Sequence, residues 1–177
     1  AERFPHAHRL LVYSRFAEHL VKAYDGGRYA DRVCYLPHGV DCSVYKPATD
    51  DERQAFRKKL YGDWPENAFV CGMVAANKGY PCRKSFPEVL EAFALFAARH
   101  PEARLYLHSL PTQEMKGPDL QGMARFFGVA DKVRLPNTHM LMGNDYTDSL
   151  MREIYCSFDV LLSPSQGEGF GLPIVEA

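Results

Sequence analysis

Apolar positions in this chain fall into short dense runs separated by longer stretches in which they recur every three or four residues. Phe69-Val-Cys-Gly-Met-Val-Ala75 is an almost unbroken apolar run, as expected of a strand covered on both faces of a parallel sheet. Arg104-Leu-Tyr-Leu-His108, Lys132-Val-Arg-Leu135 and Phe158-Asp-Val-Leu-Leu162 read as three further strands. Between them lie helical patterns. Phe86 to Arg99 takes its apolar surface from Val89, Leu90, Phe93, Leu95, Phe96 and Ala97, and ends at His100-Pro101. Leu120 to Phe127 is closed by Gly128, and Tyr146 to Cys156 follows, with Asn144 or Asp145 as its start. Strands alternating with helices about every ~30 residues predict an α/β domain with a parallel, Rossmann-like sheet.

Upstream, Arg9 to Tyr13 reads as a short strand. Ser14 caps a helix from Arg15 to about Tyr24, with Phe16, Leu20 and Ala23 on one face and Gly26-Gly27 at its end. Asp31 to Leu36 is a strand stopped by Pro37. Thr49 or Asp50 caps a charged helix, Asp51 to Leu60, whose Phe56 and Leu60 form a narrow apolar edge.

Four strands make only the first part of a doubly wound domain. In the usual 3-2-1-4 order, the strand at 69–75 and the strand at 158–162 are neighbours, and the order reverses between them. The ligand crevice of such sheets lies at that reversal, outside the carboxyl ends of the strands. The loop 77–84 leaves one of these strands and the stretch after Leu162 leaves the other, so both are predicted to face one cleft.

Composition narrows the field. The 177 residues are 46% hydrophobic, enough for a real core, and the net charge of −1 gives no electrostatic case for nucleic acid. No apolar run approaches the ~20 residues that span a bilayer. The N-terminus lacks the charged-then-apolar layout of a signal peptide and does not begin with Met, as expected of a processed or excised piece. Five cysteines, at 34, 42, 71, 82 and 156, form no Cys-x-x-Cys pair and read as reduced thiols of a cytosolic protein, with Cys71 and Cys156 in the core. The seven histidines are scattered, and His6 and His8 have no acidic or cysteine partner nearby, so no metal site is predicted.

The densest chemistry lies in Ser165-Gln-Gly-Glu168-Gly-Phe-Gly-Leu-Pro173-Ile-Val-Glu176-Ala177. Two glutamates enclose seven residues rich in glycine, after a strand and a Ser163-Pro-Ser165 turn. Glycines suit a backbone that must approach a ligand closely, and Pro173 suits the first turn of a helix. Free backbone N–H groups at a helix start suit phosphate, while Glu176 can accept hydrogen bonds from sugar hydroxyls. The local chemistry reads as nucleotide sugar.

This string closely resembles the signature of glycosyltransferase family 4 (group 1), retaining enzymes of the GT-B fold. The resemblance implies that Glu168 lies by the donor sugar, that Gly169, Phe170, Gly171 and Leu172 lay backbone amides against sugar and diphosphate, and that Glu176 binds the ribose. Pro37-His-Gly-Val-Asp41 with Tyr45-Lys-Pro47 resembles the family's passage from acceptor to donor domain. Residues 1–47 are then the tail of an N-terminal acceptor domain with the linker, and 48–177 a partial C-terminal donor-binding domain.

The loop Asn77-Lys-Gly-Tyr-Pro-Cys-Arg83-Lys84 is the second element. In the family this loop clamps the diphosphate, with a lysine seven residues before a Glu-Ala-Phe; here Glu91-Ala-Phe93 makes that residue Lys84. Lysine and arginine suit the task because the leaving diphosphate gains charge as the glycosidic bond breaks. Where relatives carry Gly-Arg-Leu, this chain has Gly72-Met73-Val74, and Arg83, Lys78 or Asn77 is expected to replace the missing arginine. The end of the third strand, around Leu135, is where the family contacts the base. His108 reads equally as a structural histidine.

The resemblance implies a complete protein that transfers a sugar from a nucleotide-diphosphate sugar to a carbohydrate, lipid or small-molecule hydroxyl, in the cytoplasm or at the inner membrane surface, without cofactor or metal. A non-catalytic nucleotide-sugar binding module and a GT-B sugar-nucleotide epimerase are the alternatives. The 177-residue piece alone is expected to be inactive and, through the exposed edge of its fourth strand, prone to self-association.

Overall fold

The computed structural model describes residues 6–111 and 116–177. The chain divides into two compact units. One holds the described residues up to Val40 together with Glu168–Leu172; the other holds those from Asp41 to Gly167 and Pro173–Ala177.

In the first unit, strands β1 (Leu10–Val12) and β2 (Val33–Tyr35) pair in parallel, with Leu11 opposite Cys34. Helix α1 (Arg15–Ala23) connects them. Ser14 caps it by accepting from the Ala17 N–H, and the helix ends through Gly26 and Gly27 at φ of 64° and 87°. The expected Phe16 and Leu20 face exists but is uncovered, at 73% and 51% exposure.

The second unit is built on a four-stranded parallel sheet: β3 (Phe69–Val74), β4 (Ala103–His108), β5 (Val133–Arg134) and β6 (Val160–Leu161). The spatial order is β5-β4-β3-β6, the order expected of a doubly wound domain. Phe69 pairs with Ala103, Cys71 with Val160 and Leu105 with Val133.

Alternation along β3 and β4 separates two apolar layers. Cys71, Met73, Leu105 and Leu107 face helices α3 (Phe86–Ala97) and α4 (Leu120–Phe126), with Phe86, Leu90 and Leu120 fully buried there. Val70 and Tyr106 face α2 (Asp50–Tyr61) and α6 (Asp148–Ser157), packing with Ile154, Tyr155 and Phe158. Helix α2 starts on a capping box, Thr49 with Glu52. The segment Asp41–Pro47, expected as linker, packs with this unit: Arg152 donates to the Lys46 and Pro47 carbonyls.

Four expectations need correction. A helix, α5 (Thr138–Gly143), stands where none was predicted; the Asn137 side chain accepts from the His139 and Met140 N–H groups and starts it. Asn144 ends α5 at φ 58°, and Thr147, not Asn144 or Asp145, caps α6. Leu95 is 69% exposed, because the 100° step of α3 carries it off the face defined by Val89, Leu90, Phe93 and Ala97. Cys156 is half-buried, with its Sγ 3.6 Å from the Lys46 carbonyl.

Asp159 fastens α2 to the sheet. Its carboxylate accepts from Arg53 (2.5 Å), Arg57 (2.6 Å) and the Val70 N–H (2.7 Å). Burial pushes this carboxyl up, but those three donors outweigh it and hold the pKa below the usual range. Since folding lowers the pKa, the stabilisation is complete above the unfolded value of ~3.9 and is lost as pH falls through the folded value. Asp159→Asn is expected to cost about 2 kcal/mol at neutral pH. In urea titrations that difference from the parent should shrink below about pH 3; a difference independent of pH would refute the assignment.

Between α3 and the β6 edge of the sheet, Phe69, Val89, Phe93, Phe96, Val160 and Leu162 line an open apolar groove of about 800 Å³. It carries no cationic side chain suited to phosphate, and although Ser163 and Pro164 reach it, none of the residues 77–84 and 165–171 lines it. Among the described residues, no helix is long and apolar enough to cross a membrane.

Candidate functional site

Because the strands run parallel, the segments following β3 and β6 leave the sheet at the same edge, on either side of the order reversal. The structure joins them there. The Gln166 N–H donates to the Arg83 carbonyl at 3.0 Å. Arg83 Nη1 donates to Ser165 Oγ at 3.2 Å and to the Gly167 carbonyl, and Ser165 Oγ also meets that carbonyl at 3.1 Å. The predicted cationic loop and the start of the glycine-rich loop therefore form one hydrogen-bonded rim.

Within the first loop the candidates have different places. Asn77 is buried and braces the strand ends: its N–H donates to Ser109 Oγ at 2.8 Å, and its amide donates to the Leu110 and Pro118 carbonyls. Its Oδ1 has no hydrogen-bond partner among the described residues. Lys78 is exposed and pairs through its backbone with Lys116. Arg83 directs Nη1 at the neighbouring loop, while Lys84 is half-buried beside it. Ser85 follows at φ 57° and starts α3. Met73, at the position where an arginine was missed, is 2% exposed and packed in the α3 layer. A side chain at 73 points into the core.

The glycine-rich loop continues directly from Gly167. Glu168 and Gly169 are exposed, Phe170 is half-buried, and Gly171 is buried at φ 88°, a conformation that favours glycine. Phe170 meets the ring of His38 edge-on at 5.3 Å, and His38 stacks on Tyr13 at 4.1 Å. Helix α7 (Leu172–Glu176) follows, with Leu172 and Glu176 half-buried.

Glu176 accepts a hydrogen bond from the Tyr155 hydroxyl at 2.7 Å. Burial first, then the Glu176 contact and its charge, raise the pKa of Tyr155, so its hydroxyl stays a proton donor. Tyr45 lies 6.1 Å from the Tyr155 ring centre, edge-on, and is pushed up to about 12 by burial and by the charges of Glu176 and Asp148. Tyr45 belongs to the Tyr45-Lys-Pro47 motif noted in the sequence, whereas Tyr155 was not singled out there. Tyr155 sits among apolar residues just before β6, where a tyrosine reads as core.

At the ends of β4 and β5, Leu135 packs partly buried against the α3 and α4 layer. Arg134 is tied to Asp63 at 2.5 Å and to the Leu60 carbonyl, and lies over the Trp64 ring. His108 is buried; burial lowers its pKa to about 4, and Nδ1 meets the Tyr106 hydroxyl at 3.0 Å. It is a neutral structural ring at pH 7. Among the described residues, no group of three or more His, Cys, Asp or Glu is placed to hold a metal ion.

No protein-family model matches the chain. The chain is 27% identical over 158 residues to the mannosylfructose-phosphate synthase of Agrobacterium fabrum, covering 86% of this chain and 32% of the synthase. It superposes on a glycosyltransferase from Rickettsia africae with a TM-score of 0.72 at 17% identity, covering 95% of this chain and 41% of that one. Anabaena HepE, in complex with UDP and glucose, matches with a TM-score of 0.68 at 22% identity, over 97% of this chain and 42% of HepE. The C-terminal domain of LpcC, a group 1 glycosyl transferase of Francisella tularensis, matches with a TM-score of 0.59 at 20% identity, over 78% of this chain and 65% of that domain. The chain thus spans about a third of the synthase and about two fifths of the first two structures. Its α/β fold, with a parallel sheet, is that of the C-terminal domain of GT-B glycosyltransferases.

Proposed function

We propose that this chain is the donor-binding part of a glycosyltransferase. In its complete form, that enzyme moves a sugar from a nucleotide-diphosphate sugar to a hydroxyl with retention of configuration. The observation that carries the reading is the rim in which Arg83, Ser165, Gln166 and Gly167 join two loops at the order reversal of the sheet. The two loops that the glycosyltransferase-like motifs occupy are the two that meet there. HepE, which has the same fold, holds UDP and glucose.

In this reading Lys84 places its ammonium against the diphosphate, where charge grows as the glycosidic bond breaks, and no metal is needed for that task. Lys78 adds a second cation at the loop's exposed end. Arg83 and Asn77 act mainly by holding the loops in place, as their hydrogen bonds indicate. Gly169 to Leu172 offer backbone N–H groups to the sugar and diphosphate, with Glu168 beside the donor sugar. Glu176 accepts from the ribose hydroxyls, and Leu135 borders the base. Transfer itself requires a second domain closed over the reactants to exclude water, so the acceptor hydroxyl comes from outside this unit.

Titration of UDP, ADP and GDP into the isotopically labelled 177-residue chain tests this. At least one diphosphate is expected to bind weakly and to shift the amide resonances of residues 77–84 and 165–176. Sugar transfer by the 177-residue chain itself is not expected. Absence of any shift with all three diphosphates, or shifts confined to the apolar groove beside β6, would overturn the reading.

A further inference from the structure

Glu176 is a carboxylate on a short helix of five residues, and such a helix does little to fix a side chain by itself. The structure supplies an anchor from elsewhere. Tyr155 lies near the end of α6, 4% exposed, with its ring held edge-on between Tyr45 and Phe158 at 6.1 and 6.3 Å. Its hydroxyl donates to Glu176 Oε2 at 2.7 Å, a short bond to an anionic acceptor from a side chain with few alternative orientations. That bond restrains Oε2, and so the range of carboxylate orientations, and leaves Oε1 as an acceptor for a ligand.

We propose that Tyr155 is a positioning residue that sets the Glu176 carboxylate for the two vicinal hydroxyls of the ribose. The proposal rests on the reading of Glu176 as the ribose acceptor. It makes α6, a helix that carries none of the glycosyltransferase-like motif, part of the site. Tyr155 does not touch the nucleotide; it acts through Glu176. The benefit is preorganisation, since a carboxylate already oriented loses less freedom when the ribose arrives.

The experiment compares the tightest-binding of UDP, ADP and GDP with its 2′,3′-dideoxy form, on the parent chain, Tyr155→Phe, Glu176→Gln and the double variant. Phenylalanine keeps the ring and its packing, and melting temperatures report any loss of fold. Tyr155→Phe is expected to weaken the ribo-diphosphate about fivefold and to leave the dideoxy form unchanged. The double variant should be no weaker than Glu176→Gln alone, because Tyr155 has no other route to the ligand. If Glu176→Gln weakens the ribo form while Tyr155→Phe does not, or Tyr155→Phe weakens both forms equally, the positioning role is overturned and the ribose role of Glu176 stands. If Glu176→Gln has no effect, or no diphosphate binds, the ribose reading falls and this inference falls with it.

Discussion

Replacing Gly72 by valine is expected to destabilise the unit built on the four-stranded sheet by about 3 kcal/mol, the upper part of the usual range for overpacking a core. Gly72 sits in the middle of β3, paired with Tyr106 on one side and Leu161 on the other. A Cβ at this position would lie 2.2 Å from Cδ2 and Cε2 of Phe158. Phe158 cannot yield easily, because its ring is buried among Tyr106, Tyr155 and Val70. The clash is with the body of an aromatic ring, so either the ring leaves the core or β6 separates from β3. Alanine should already be costly. Gly169→Ala is the contrasting case: nothing lies within 4 Å of its Cβ position, and the change in stability should stay within about 0.5 kcal/mol. Urea denaturation of the three variants checks this. A Gly72→Val protein as stable as the parent would show that the β3–β6 contact is looser than described.

That glycine shows what could and could not be read from the chain. The dense apolar runs announced β3, β4 and β6, because strands covered on both faces need apolar residues at successive positions. Their order followed from the alternation with helices, and the structure has it. The loops of the site were legible for the same reason: a glycine-rich stretch and a basic stretch following two strands fall at one edge if the sheet is parallel. What the sequence did not disclose were contacts made at a distance. Nothing near Gly72 marks its partner as Phe158, 86 positions later in the chain. Nothing near Glu176 marks Tyr155 as its donor. Arg83 was expected, with Lys78 or Asn77, to stand in for a missing phosphate-binding arginine; the contacts of its Nη1 with Ser165 and Gly167 are ones that only the folded loops bring within reach. Helix α5 was missed because six residues show too few apolar positions to reveal a period, although Asn137 was available as its cap.

Under the proposed function, Lys84→Ala in the full-length protein is expected to lower kcat by about 100- to 1000-fold, the loss typical of removing one group that stabilises transition-state charge. In the proposed reading Lys84 has this role because it stands seven residues before Glu91-Ala-Phe93, as the diphosphate lysine of the resembled family does. Met73 is buried in the α3 layer and cannot take it. Lys84 follows the residue that joins the two loops and precedes Ser85, whose φ of 57° turns the chain into α3. Its backbone is therefore held from both sides, while its side chain is only half-buried. A cation held this way interacts with a diphosphate more strongly as the leaving group gains charge, so kcat should fall more than KM rises. Arg83→Ala should differ in kind. It loosens the rim, so both constants should worsen, and urea stability should drop with them. Lys84→Arg, which keeps the charge, should retain part of the rate. If Lys84→Ala turns over like the parent while Lys78→Ala does not, the cation opposite the diphosphate is at the exposed end of the loop and the arrangement proposed for the donor must be reversed.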